Sequence, residues 1–100
     1  LGHTSCGAIN AAITAVKNDE YFPGHIQKLA TDLSPAVKRA MKTKPENLEL
    51  ASVKENVLLN VAKLQSSTPL LRRMVQNKQL LVVGGVYNLN TGRVELITPI

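Results

Sequence analysis

A change of hydrophobic period in the last third of the chain constrains its fold most. The run Leu80–Leu89 (LLVVGGVYNL) is apolar and β-rich, whereas the residues before it repeat apolar side chains at helical spacing. Residues 90–92 (NTG) are a turn signal, and Arg93–Ile97 alternates polar and apolar residues like a half-buried partner strand. The continuous start, Leu80–Val83, is typical of a strand covered on both faces by helices. The sequence therefore predicts an α/β fold that ends in an antiparallel β-hairpin.

Helical patterns fill most of the chain upstream of this run. Helices are predicted at residues 7–17, 25–31, 35–42, 47–65 and 69–77. Ser34 is expected to be the N-cap of the third, with Pro35 at its first helical position. A single hairpin has too little strand to cover so many helices, so we expect further strands to come from outside these residues. The fold class is thus the C-terminal part of a mainly parallel sheet flanked by helices.

Composition limits the classes of partner. One hundred residues make one small domain or a piece of a larger one. The net charge of +5 is spread along the chain, and three aromatic residues are too few for a base-stacking surface, so nucleic-acid binding is not predicted. No apolar run is long enough to predict a membrane span. A single cysteine excludes an internal disulfide, and any targeting segment would precede Leu1, so the compartment, cytoplasm or periplasm, stays open.

The first residues contain the chain's strongest chemical signal. His3 and Cys6 stand three residues apart, where an apparent strand end becomes a helix. Histidine and cysteine are common zinc ligands, and a helix beginning just after Cys6 would aim unpaired N–H groups and a positive dipole end at the pair. The alternative is that the pair is incidental, with Cys6 simply packed in the interior. The residues alone leave both interpretations open.

Three segments, taken together, resemble one family. The opening Gly2–Ala8 (GHTSCGA) resembles the zinc motif G-H-T-x-C-G-[GA] of β-class carbonic anhydrases. The segment from Glu55 to Pro69 looks like that family's ENV…L…SP segment, and Val83–Val94 (VGGVYNLNTGRV) is similar to its closing hairpin. The three segments occur in the family's order from Leu1 to about Ile97, which makes the resemblance specific.

The resemblance implies a site and a reaction. His3 and Cys6 correspond to two of the family's zinc ligands, and Gly7 leaves room for substrate oxygens near its backbone N–H. The family's first Cys ligand and its Asp–Arg pair belong to an upstream C-x-D-x-R segment, which has no counterpart in these residues. Residues 1–100 would then be the C-terminal portion of a single domain, and no catalytic residue is assigned within them. In the family, zinc activates water to attack carbon dioxide and give bicarbonate.

The resemblance also leaves functional alternatives. The family is dimeric or higher, so a homodimer, a larger oligomer or a complementing N-terminal half is the expected partner. One alternative is a non-catalytic structural or interaction module that keeps the fold. Another is a related hydrolase of carbon disulfide or carbonyl sulfide. His25, Arg72 and Arg73 are interpreted as surface groups, Tyr87 as a half-polar strand residue, and Glu55 as a packing or capping group.

Overall fold

The computed structural model describes residues 1–99 and contains four helices and three short strands. The elements follow in the order β1 Gly2–His3, α1 Gly7–Asn18, α2 His25–Lys42, α3 Leu48–Gln65, α4 Leu70–Gln76, β2 Gly85–Tyr87 and β3 Val94–Leu96. The α/β class is confirmed. None of the helices in residues 1–99 combines the length and the hydropathy that crossing a bilayer requires.

The sheet is mixed, which corrects the expectation of a mainly parallel one. Its order is β1-β2-β3, with β1 parallel and β3 antiparallel to β2. The parallel pairing covers only two residue pairs, because β1 is two residues long. The antiparallel hairpin, in which Gly85 faces Leu96 and Tyr87 faces Val94, is confirmed.

The segment Leu80–Val83 is not a buried strand, which corrects a second prediction. These residues lie outside regular secondary structure, and Leu81 is 62% exposed. The physical reason is the shortness of β1, which pairs with Val86 and Tyr87 and does not extend beside the earlier residues. Without a neighbouring strand and a second covering layer in the described part of the chain, the apolar run stays partly open to solvent.

Helix α2 is one continuous helix where the sequence predicted two. Pro35 lies inside it, and Ser34, instead of capping a new helix, donates its hydroxyl to the Ala30 carbonyl at 2.9 Å. The buried stripe of α2 runs across the proline, from Ala30 to Ala40, and packs against α1 and α3. Tertiary packing thus outweighs the loss of one backbone hydrogen bond at the proline.

Helix α3 is the centre of the core and carries the sheet. Asn47 caps its first turn as an acceptor for the Leu50 N–H at 3.1 Å, as the predicted start at residue 47 requires. Its buried valines, Val53, Val57 and Val61, form one cluster with Ile9 of α1 and Val86 of β2. Glycines let β1 and the segment before β2 approach α3 closely, since an added Cβ on Gly2 would lie 2.8 Å from Val53. This contact fixes the strand end from which the candidate site begins.

Candidate metal centre

His3 ends β1 with an exposed imidazole whose orientation is fixed from one side. Its Nδ1 lies 2.8 Å from the Thr4 carbonyl oxygen. A carbonyl oxygen only accepts hydrogen bonds, so Nδ1 carries the proton and the lone pair of the neutral ring is on Nε2. A backbone carbonyl that holds the distal ring nitrogen is the usual support of a metal-binding histidine. Nε2 of His3 is therefore the atom available for a metal.

Thr4 holds the turn that follows His3 against the hairpin. Its N–H donates to the Tyr87 carbonyl at 2.9 Å, and its Oγ1 accepts from the Leu89 N–H at 3.0 Å. The next residue, Ser5, has a φ of 54°, so the chain reverses sharply between the two candidate ligands. The sequence interpretation assigned no role to Thr4. A hydroxyl beside a strand end is too common a pattern to reveal an anchor 85 residues away.

Cys6 is the N-cap residue of α1 and has a free, half-buried thiol. Its carbonyl accepts the Asn10 N–H at 3.0 Å, whereas its side chain makes no capping hydrogen bond. The side chain packs beside the core cluster around Ile9 and Val53, which limits its movement. The thiol therefore lies at the positive end of the α1 macrodipole.

Gly7 begins α1 with open space beside it. A Cβ added to Gly7 would meet no atom within 4 Å, and its φ lies outside the left-handed region. Neither contacts within the chain nor the backbone conformation therefore require glycine here. Gly2 differs, because the space that a side chain would need there is occupied. A Cβ added to Gly2 would lie 2.8 Å from side-chain atoms of both Val53 and Val57.

The donor set suits zinc in kind but not in number. An imidazole nitrogen and a thiolate are preferred zinc ligands, and a structural or catalytic site needs at least three protein ligands. Within residues 1–99, no group of three or more His, Cys, Asp or Glu side chains is placed to share an ion. Within residues 1–99, the turn between β1 and α1 thus presents two candidate ligands, fewer than a zinc site needs.

The other residues singled out in the sequence lie away from this turn. His25 starts α2 and is exposed, and Arg72 and Arg73 belong to the short helix α4. Glu55 has a role that the sequence interpretation missed, because its Oε2 lies 3.8 Å from Nε of Arg39 and ties α3 to α2. No pattern within a single helix predicts an ion pair between two helices.

Comparison with known proteins identifies the family. The chain matches the carbonic anhydrase family over residues 1–94. It is 29% identical over 99 residues to a carbonic anhydrase of Mycolicibacterium smegmatis, and 28% identical over 99 residues to carbonic anhydrase 2 of Mycobacterium tuberculosis. Each alignment covers 96% of this chain and 46% of the relative, so the chain spans about half the length of the curated relatives it matches. Since the family match includes the β1–α1 turn and most of the hairpin, the chain belongs to the β-class carbonic anhydrase family.

Proposed function

We propose that this chain is part of a zinc enzyme that reversibly hydrates carbon dioxide to bicarbonate and a proton. One observation carries the proposal: Nε2 of His3 and the thiol of Cys6 are both uncommitted on a single anchored turn. The family membership supplies the reaction, and the turn supplies donors of the kind that reaction uses.

His3, Cys6 and Gly7 have distinct tasks in this proposal. His3 binds zinc through Nε2, and its Nδ1–H donates to the Thr4 carbonyl oxygen, which fixes the ring. Cys6 binds through its sulfur, which lies at the N-terminus of α1. The open space beside Gly7 admits the substrate oxygens next to a free helix N–H. When bound, zinc supplies the Lewis acidity that makes water a nucleophile near neutral pH.

A complete zinc site needs groups that residues 1–99 do not bring together. Residues 1–100 form the C-terminal portion of a single domain, and a segment of the C-x-D-x-R type contributes the third protein ligand and the Asp–Arg pair. The partner in this proposal is a second copy in a homodimer, a larger oligomer, or a complementing N-terminal half that carries this segment. Two features support an added packing partner: the side chain of Leu81 is exposed, and within residues 1–99 β1 is paired on one side only. Both are more stable when packed.

Metal binding by the turn is tested with cobalt(II) as a spectroscopic substitute for zinc. The chain is titrated with cobalt and followed through the thiolate-to-metal charge-transfer absorption. We expect this band in the unsubstituted chain, its loss in Cys6→Ser, and weaker cobalt binding in His3→Ala. His25→Ala is the matched control, since His25 is also exposed but lies at the start of α2. A charge-transfer band that survives in Cys6→Ser, or is lost equally in His25→Ala, contradicts the assignment.

The reaction is tested by complementation. The chain is mixed with zinc and a polypeptide made of the part of the Mycolicibacterium smegmatis relative that the alignment leaves uncovered, and carbon dioxide hydration is measured by stopped flow. Hydration that depends on both polypeptides and is lost in Cys6→Ser supports the enzyme. If the two polypeptides associate and bind zinc without hydrating carbon dioxide, the non-catalytic alternative replaces it.

A further inference from the structure

The turn of the closing hairpin, between β2 and β3, is organised by the side chain of Asn88. Its Oδ1 accepts two backbone hydrogen bonds, from the Asn90 N–H at 2.8 Å and from the Thr91 N–H at 3.2 Å. The backbone of Asn88 is held as well, because its N–H donates to the Arg93 carbonyl and its carbonyl accepts the Gly92 N–H, both at 2.8 Å. Asparagine side chains stabilise turns by bonds of this kind. The shape of the hairpin turn therefore depends on one amide side chain.

The hairpin turn in turn holds the β1–α1 turn, which carries the candidate metal ligands. Leu89, the residue after Asn88, donates its N–H to Oγ1 of Thr4 at 3.0 Å. Tyr87, the residue before Asn88, accepts the Thr4 N–H at 2.9 Å. The Thr4 carbonyl accepts Nδ1–H of His3 at 2.8 Å, which orients the imidazole. A continuous path of peptide units and hydrogen bonds thus connects the Asn88 side chain to His3.

We propose that Asn88 is a positioning residue of the metal site, which acts through Leu89 and Thr4 and does not touch the ion. This role rests on the proposed function, because it concerns the metal that His3 and Cys6 bind there. Asn88 fixes the direction of the Leu89 N–H, which holds Thr4, and the Thr4 carbonyl then fixes the direction of Nε2 of His3. Groups that orient metal ligands from outside the coordination sphere change metal affinity about 10- to 100-fold.

Asn90 provides a matched control within the same turn. Asn88 is half-buried, whereas Asn90 is exposed, and within residues 1–99 the Asn90 side chain forms no hydrogen bond. The backbone N–H of Asn90 is what donates to Asn88, so truncation of the Asn90 side chain leaves that bond in place. The two asparagines therefore differ in whether the side-chain oxygen holds the turn.

The proposed coupling between the hairpin turn and the metal is reciprocal. If the bond from the Leu89 N–H to Thr4 strengthens metal binding, metal binding must strengthen that bond by the same factor. Leu89 is exposed, so the exchange of its amide hydrogen with solvent reports the opening of this bond. A residue that only stabilised the hairpin would not make this exchange depend on metal.

The first test is a cobalt(II) titration of the 100-residue chain and three variants, followed through the thiolate-to-metal absorption. Asn88→Ala removes the acceptor and is expected to bind cobalt about tenfold more weakly. Asn88→Asp keeps an acceptor oxygen in the same place and is expected to restore most of the affinity. Asn90→Ala is expected to bind cobalt as the unsubstituted chain does. Circular dichroism verifies that each variant is folded.

The second test needs no substitution, so it applies even if Asn88→Ala does not fold. Amide hydrogen exchange of the unsubstituted chain is followed by NMR without metal and with saturating zinc(II). Zinc is expected to slow the exchange of the Leu89 N–H about tenfold, which matches the expected effect of Asn88 on metal affinity. The Gln27 N–H, which lies in the first turn of α2, is expected to exchange at the same rate with and without zinc.

The outcomes separate this role from the proposed function. Equal cobalt affinity of folded Asn88→Ala and the unsubstituted chain overturns the role of Asn88, as does an equal loss in Asn90→Ala. Exchange of the Leu89 N–H that zinc does not slow also overturns it. In each of these cases cobalt still binds through Cys6, and the proposed function stands. If the unsubstituted chain gives no charge-transfer band, the proposed function fails, and the role of Asn88 fails with it.

Discussion

Gly84 and Val57 are in contact so closely that no side chain fits between them. A Cβ added to Gly84 would lie 2.6 Å from Cγ1 of Val57 and 2.9 Å from Cγ2 of Val61. Both valines are β-branched and buried on α3, so neither moves aside without changing its rotamer. The backbone before β2 therefore packs directly against α3, and this contact sets the distance between the sheet and the helix.

Replacing Gly84 by alanine is expected to destabilise the chain by about 1–3 kcal/mol, because the added methyl group overpacks this contact. Urea unfolding followed by circular dichroism measures the change. The variant Val57→Ala opens space at the same place, so the double variant is expected to lose less stability than the sum of the two single losses.

Gly7→Ala is the matched control for the same chemical change. A Cβ at Gly7 meets nothing within 4 Å, and alanine is a better helix former than glycine, so its unfolding free energy is expected to stay equal or to rise by up to about 1 kcal/mol. Equal losses in Gly84→Ala and Gly7→Ala would show that the Gly84–Val57 contact does not limit packing.

At Ser52, in contrast to Gly84, replacement by alanine is expected to stabilise the chain. Its side chain is fully buried in α3, and its Oγ has no hydrogen-bond partner among the described residues. An unpaired buried hydroxyl costs free energy, and alanine is the better helix former, so Ser52→Ala is expected to stabilise the chain by about 0.5–2 kcal/mol. The shift of the urea midpoint measures it.

The variant Ser34→Ala separates the gain in helix propensity from the effect of removing an unpaired hydroxyl. It makes the same change inside α2, but the Ser34 hydroxyl donates to the Ala30 carbonyl at 2.9 Å, and this bond is lost. The lost hydrogen bond offsets the gain in helix propensity, so the unfolding free energy is expected to change by no more than about 0.5 kcal/mol. A stabilisation by Ser34→Ala as large as that by Ser52→Ala would mean that the unpaired hydroxyl carries no penalty.

The local parts of the fold could be predicted from the sequence, and the parts set by distant contacts could not. The start of α3 follows from a cap that accepts a bond three residues away, and the hairpin follows from a turn signal between two β-rich segments. Both depend on neighbours in sequence. The prediction that a new helix starts at Pro35 was wrong, because the buried side of α2 continues past this proline and packs against α1 and α3.

The same division applies to the candidate site. The spacing of His3 and Cys6 marks two candidate donors, because it is a local pattern that needs no distant contact to be noticed. The anchoring of that turn by Thr4 depends on Tyr87 and Leu89, more than 80 residues later, which no local pattern encodes. Likewise, the exposure of Leu81 depends on which strands lie beside it, and a run of apolar residues cannot reveal that.

The cap of α3 provides a third prediction. Asn47 accepts the Leu50 N–H, so Asn47→Ala is expected to lower the unfolding free energy by about 1 kcal/mol, whereas Asn47→Ser is expected to stay within a few tenths, because serine caps almost as well. Thermal unfolding of the three chains under one set of conditions measures both. Equal melting temperatures for Asn47→Ala and the unsubstituted chain would contradict the capping role.

We expect Thr4 to link the stability of the turn to metal binding. Thr4→Val keeps the shape of the side chain but removes the acceptor of the Leu89 N–H, so the turn that carries His3 is less firmly held. The unfolding free energy is expected to fall by about 0.5–1.5 kcal/mol. Cobalt affinity is expected to fall about tenfold, since groups that orient metal ligands have effects of that order. Cobalt titration and urea unfolding give the two readouts.

Thr98→Val is the control that separates positioning from stability. Thr98 Oγ1 accepts the Gly84 N–H at 2.8 Å, so this variant loses the same kind of bond at a place that holds no candidate ligand. It is expected to lose at least as much unfolding free energy as Thr4→Val, because the Thr98 bond is partly buried, and to keep its cobalt affinity. Equal losses of cobalt affinity in the two variants would make Thr4 a purely structural residue. A loss confined to Thr4→Val would instead mean that the Thr4–Leu89 bond positions His3 and Cys6 for the metal.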